Sequence, residues 1–114
     1  MSMARDDPLY LEDIREAIET ILGYVRGIDE DQFKGQQMLQ DAVIRQLEII
    51  GEATKHLSDE IRQANPKIPW KAIAGTRDRL VHGYFAVDLD EIWLTVRRDL
   101  PELKPEIDRL LSES

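Results

Sequence analysis

Apolar residues recur along this chain at spacings of three and four, and no run alternates as a strand does, so the pattern is helical from end to end. Asp7-Pro8 opens a first helix, with Asp as N-cap and Pro at the first helical position. Tyr10, Leu11, Ile14, Ala17, Ile18, Ile21, Leu22 and Val25 then form one face of a helix over residues 8–26, and Gly27 stops it. Asp29 with Gln32 makes a capping box for a long second helix over 30–57. That helix carries two apolar stripes: Phe33, Val43, Ile44, Leu47 and Ile50 on one, and Leu39, Ala42, Ile49 and Ala53 on the other. Two such faces predict a central helix that packs on its own bundle and on a partner. Ser58 caps a short helix to Ala64, which Asn65-Pro66 ends. Pro69 starts the next helix, with Trp70 as its core anchor and Gly83 as its stop. Asp88 with Glu91 caps a helix bearing Leu89, Ile92, Trp93, Val96 and Leu100. Pro101 and Pro105 break or kink the chain before a last short helix with Leu103, Ile107, Leu110 and Leu111. The expected fold is all-α, an antiparallel up-and-down bundle of five to six helices, with residues 1–114 as one domain.

Composition narrows the chemistry. Hydrophobic residues make up 42% of the 114, ordinary for a globular chain. No apolar run reaches the length of a membrane span, and the acidic start of the chain does not read as a signal peptide, so a cytoplasmic location is expected. There is no cysteine, and the two histidines are far apart, so neither a thiolate site nor a metal cluster is expected, and no cofactor is implied. A net charge of −8 argues against general nucleic-acid binding. Its distribution matters more than its total. Residues 62–87 carry Arg62, Lys67, Lys71, Arg77 and Arg79 against Asp78 alone, and every other part of the chain is net acidic.

That basic segment coincides with an unusual helix. Taken at about 100° per residue, Trp70, Ile73, Leu80 and Val81 share one stripe, and Arg77 falls inside it. A guanidinium on an apolar face is costly unless it is paired or sits at a cleft or interface. Asp78 and His82 are four residues apart and therefore neighbours. Cleaving RNA without a metal requires a base for the 2′-hydroxyl, an acid for the leaving oxygen and a cation for the crowded phosphorane. Histidine suits either proton-transfer role and arginine the last, while Asp78 can fix the His82 tautomer. Positions 77 and 82 lie about 140° apart around a helix, so a single copy does not converge them; two copies related by a two-fold axis would. The same residues also read as a surface Arg–Asp pair and a helix-capping histidine. His56, beside Lys55, reads as a surface or C-terminal-turn histidine, and Glu52 either pairs with Arg77 or Arg79 or lies on the helix surface.

A wider stretch supplies context. LEIIGEATKHL, NPKIPWKAIAGTRDRLVHGYF and the following VDLDEIW closely resemble the HepT-type toxins of the HEPN superfamily, and the likeness extends over nearly the whole chain. Arg77-x4-His82-x-Tyr84 reproduces that family's Rx4HxY motif without a gap. The resemblance implies a helical homodimer that acts as a metal-independent endoribonuclease, its RNA cleft at the dimer interface. Arg77 and His82 would be the catalytic pair and Asp78 the supporting residue. It also implies a minimal nucleotidyltransferase antitoxin as partner, which adenylylates the motif tyrosine, here Tyr84. Tyr84 can equally be a core aromatic at a helix end. Arg79 and Lys71 are candidates for RNA backbone contacts. The rival is a catalytically silent helical dimer whose basic cleft binds a nucleotide or a partner protein.

Overall fold

The computed structural model describes residues 4–81 and 88–113, with 77–81 described as helical backbone only. The chain forms α1 (Asp7–Tyr24), α2 (Glu30–Lys34), α3 (Gln37–Lys55), α4 (Asp59–Ala64), α5 (Trp70–Val81), α6 (Leu89–Leu94) and α7 (Leu100–Ser112). A π-helical turn, Thr95–Asp99, joins α6 to α7 in one continuous rod. The architecture is all-α, as the apolar spacing predicts. α3 is its centre, packed most extensively against α5 and α1. Tyr10, near the start of α1, stacks on His56 at the end of α3 with ring centroids 5.1 Å apart, so these two helices run antiparallel.

The apolar stripe of α1 becomes the core: Leu11, Ile14, Ile18 and Ile21 are all essentially inaccessible, joined by Val43, Leu47 and Ile50 from α3 and Ile107 and Leu110 from α7. The second stripe of α3 is largely covered within the same chain. Ala53 is buried, while Leu39 and Ile49 are half-buried against that core.

Three of the expected caps form. Asp29 accepts from Gln32 N at 2.8 Å while Gln32 Oε1 accepts from Asp29 N at 2.9 Å. Ser58 Oγ accepts from Ile61 N, and Asp88 accepts from Asp90 N and Glu91 N. These motifs act over two or three residues, so local sequence determines them.

Four expectations are corrected. The single helix over 30–57 is two, separated at Gly35 and Gln36. Gln36 is extended, and the buried Gln40 amide donates to the carbonyls of Phe33 and Lys34 at 2.9 Å each, satisfying the end of α2. This break lets Phe33 turn fully inward against Trp93, with ring centroids 5.2 Å apart. Lys34 pairs with Asp90 and Arg97 donates to the Ile28 carbonyl while lying 4.6 Å over the Trp93 ring, so α2 is fastened to the α6 arm.

Asp7 is not the N-cap of α1 but its first helical residue. Its carboxylate is 1% exposed and accepts from Ala4 N, Ser58 N and Ser58 Oγ, tying α1 to the start of α4. The prolines do not interrupt the last helix, which runs for 13 residues through both. Pro101 has no N–H for the Arg97 carbonyl and its ring would crowd that oxygen; the π turn immediately before it, closed by Leu100 N to the Thr95 carbonyl, relieves the conflict. Finally, Arg62 of the basic segment serves the fold. Its guanidinium donates to the carbonyls of Lys55 and Leu57 and so caps α3.

Candidate functional site

The start of α5 fixes where the rest of that helix goes. Ile68 and Trp70 are buried in the core. The Trp70 indole donates to the Asn65 carbonyl at 3.0 Å. Asn65 is itself buried; its amide donates to the Ile61 carbonyl at 2.9 Å and its Oδ1 accepts from Arg109 of α7 at 3.1 Å. The carboxylates beside Arg109 hold its guanidinium charged: the hydrogen bond to Glu106 raises its pKa most, and the one to Glu113 adds to the effect. Thus α4, α5 and α7 meet at one satisfied polar knot, about 10 Å along the helix from Arg77. Replacing Asn65 by alanine removes the amide's bonds inside a buried corner. The expected result is a loss of about 2 kcal/mol, seen as a lower urea midpoint at unchanged slope.

From that anchor α5 continues as helix through Val81, which carries Arg77, Asp78 and Arg79. His82 and Tyr84 lie outside the described residues, as does Gly83. Lys71 is exposed on the first turn of α5, and Lys67 is exposed just before it. Neither ammonium has a hydrogen bond or ion pair among the described residues, in contrast to Arg62. His56 is the residue that caps the end of α3, with its side chain half-exposed and Nε2 3.3 Å from Glu52 Oε1. The reading of His56 as a C-terminal-turn histidine therefore holds, and Glu52 lies on the helix surface beside it.

Sequence reasoning did not find the cleft that runs beside α5. It encloses about 410 Å³ between α5 on one side and α6, the π turn and α7 on the other. Its floor is apolar, with Leu47, Ile50, Leu100 and Leu103; its α5 wall carries Ala72, Ile73 and Thr76. Lys67 and Arg98 contribute positive charge, and Glu91, Asp99, Glu102 and Glu106 negative charge. The Asp99 carboxylate hydrogen-bonds Arg98 Nε at 2.9 Å and raises that guanidinium's pKa, so Arg98 is firmly cationic. Leu47, Ile73 and the pair Arg98 and Glu102 come from three separate stretches, which is why no motif announced the cleft.

Among the described residues no group of three or more His, Asp or Glu side chains is placed to hold a metal ion, and no helix is long and apolar enough to cross a membrane.

A chain with this helical architecture and this sequence has known counterparts. Residues 14–110 match the family described as Ribonuclease HepT-like, and the chain belongs to that family. It is 45% identical over 108 residues to a Thermococcus cleftensis protein named "Probable ribonuclease HepT", covering 95% of this chain and 98% of that one. It is also 42% identical over 104 residues to a protein of Caldanaerobacter subterraneus subsp. tengcongensis named as an RNase of the "Putative" kind, covering 91% and 93% of the two chains. A further relative, from Methanocaldococcus jannaschii, is 47% identical over 111 residues; the match covers 97% of this chain but 50% of that protein, whose name couples a gamma-glutamylcyclotransferase to an RNase. No solved structure matches.

Proposed function

We propose that this protein is the toxin of a two-component toxin–antitoxin pair, a metal-independent endoribonuclease that works as a homodimer. The observation that carries the reading is the match to the HepT-like ribonuclease family over residues 14–110, a span that includes the whole of Arg77-x4-His82-x-Tyr84.

In this mechanism two copies of α5 face one another across a two-fold axis, so that each Arg77 and each His82 serves a shared cleft. One His82 takes the proton of the RNA 2′-hydroxyl, whose oxygen attacks the adjacent phosphorus. The other gives a proton to the departing 5′-oxygen, leaving a 2′,3′-cyclic phosphate and a free 5′-hydroxyl. Arg77 holds the phosphate bidentately and stabilises the charge that builds on the phosphorane. Asp78, one turn before His82, orients the imidazole. Asp78 is a positioning residue and touches no substrate.

The partner is a minimal nucleotidyltransferase antitoxin. It transfers an adenylyl group from ATP to the Tyr84 phenolic oxygen, with pyrophosphate as leaving group. A bulky anionic nucleotide next to the phosphate cleft blocks RNA and offsets the local positive charge. The site of action is the cytoplasm, where RNA and ATP are both available.

Lys71 and Arg79 follow the RNA backbone outside the cleft. Each phosphate contact on a single strand contributes roughly 0.7 to the slope of log affinity against log salt. Lys71→Ala is therefore expected to weaken binding of a non-cleavable RNA and to flatten that slope by about this amount, without altering which sequence is preferred. A slope identical to wild type removes Lys71 from the contact surface. RNA cleavage by the purified protein in EDTA tests the reading as a whole.

A further inference from the structure

The cleft beside α5 joins an apolar floor to a charged, exposed rim. Its floor is apolar, yet Glu102, in the first turn of α7, contributes a carboxylate that makes no hydrogen bond among the described residues. At another part of the lining stands Lys67, an ammonium equally without a partner. Asp99 and Glu106 of the lining are paired with Arg98 and Arg109, and an apolar slot that also offers the Glu102 acceptor and the Lys67 cation matches a nucleotide better than it matches an aliphatic side chain. The slot takes the face of a base, the acceptor reads its edge, and the cation meets a phosphate.

Position agrees with chemistry. Ile73 and Thr76 form the α5 wall of the cleft, and Arg77 follows Ile73 by one helical turn, about 6 Å along the axis. A base lodged against Ile73 thus belongs to a nucleotide next to a phosphate held at Arg77. The acceptor also selects among bases. A carboxylate has two oxygens and no donor. Guanine alone presents two adjacent donors, N1–H and N2–H, along its pairing edge. Adenine and cytosine set a ring acceptor beside their amino group, and uracil sets carbonyls on either side of its single N–H; in each case a carboxylate oxygen meets another acceptor.

We propose that this cleft is a base-recognition site of the ribonuclease, which takes an unpaired guanine of the RNA substrate with Glu102 as its reader and Lys67 as a backbone contact. This rests on the ribonuclease reading above and gives it a substrate preference.

The test uses 2′-O-methyl trinucleotides UXU, with X as G, A, C or U, which lack the attacking hydroxyl and so remain intact. Binding is followed through the methyl resonances of Ile73 and Leu103, alongside mapping of cleavage sites in a long RNA. The expected result is shifts at both residues, tightest binding for X = G by roughly tenfold or more, and cleavage next to unpaired guanines. Glu102→Gln, an exposed substitution, retains the fold and brings the four probes to within about twofold of one another. Thr76→Trp fills the slot and removes the Ile73 shift.

Equal binding of all four probes by wild type, or a guanine preference that survives Glu102→Gln, overturns the proposal. So does conversion of a dimer to a monomer by Thr76→Trp in sedimentation, because a second copy would then be the occupant. The two readings separate cleanly. Guanine-selective binding without RNA cleavage retains the base site and removes the nuclease, whereas Arg77-dependent cleavage with no base preference does the opposite.

Discussion

Replacing Asp7 by alanine lowers the stability of the protein by about 3 kcal/mol, the largest loss expected from any single polar substitution in the described fold. Asp7 is 1% exposed and accepts three hydrogen bonds, from Ala4 N at 3.1 Å, Ser58 N at 2.9 Å and Ser58 Oγ at 2.5 Å. Alanine leaves the Ser58 donors facing an apolar void, and an orphaned buried donor costs about 1–3 kcal/mol. The missing negative charge at the first residue of α1 adds a few tenths through the helix dipole. Asn keeps the volume and one acceptor but turns an amide donor toward one of these groups, so Asp7→Asn falls between the two. Urea unfolding at neutral pH checks both variants, and the Asp7→Ala/Ser58→Ala double mutant measures the coupling across the 51 residues that separate the partners. A change below about 0.5 kcal/mol for Asp7→Ala would mean that this link does not hold α1 to α4.

His82→Ala and Arg77→Ala each reduce RNA cleavage by about a thousandfold while leaving the unfolding midpoint close to wild type. Positioned acid–base catalysis is worth roughly 10²–10⁴ and loss of a charge-stabilising donor roughly 10²–10³, so the two losses are similar in size. Arg77→Lys separates charge from geometry. Lysine restores the cation but not the planar fork, and only a small part of the rate is expected to return. Single-turnover cleavage of a defined RNA gives the rates, and thermal unfolding of the same samples gives the stability. A His82→Ala variant that melts early yet cleaves normally would make this a structural histidine.

What could be read in the sequence, and what could not, follows the distance over which each feature is decided. The helices of α1, α4, α5 and α6 show in apolar spacing, and the caps at Asp29, Ser58 and Asp88 show because donor and acceptor lie within three residues. The break between α2 and α3 is hidden because it depends on the Gln40 side chain reaching back to the carbonyls of Phe33 and Lys34. Asp7 looked like an N-cap because Asp-Pro at a helix start usually is one; its partner in space lies at Ser58. Arg62 counted toward a basic patch, but its guanidinium belongs to the α3 C-terminus.

The candidate site divides in the same way. Arg77, Asp78, His82 and Tyr84 stand out as a contiguous motif, and the helix on which the first two lie is as the spacing predicts. The cleft beside them, by contrast, is assembled from α3, α5 and the α6–α7 arm. Its slot exists because α5 packs on α3, while the π turn before Pro101 carries the other wall. No window of sequence contains that arrangement.

The most direct test is cleavage of total cellular RNA by purified protein in EDTA, comparing wild type with Arg77→Ala and His82→Ala, after mass spectrometry has shown Tyr84 to be unmodified. Cleavage by wild type alone, with products ending in 2′,3′-cyclic phosphate, is the predicted result. No cleavage by unmodified wild type, or equal cleavage by all three, would contradict it and leave a helical binding module in place of an enzyme.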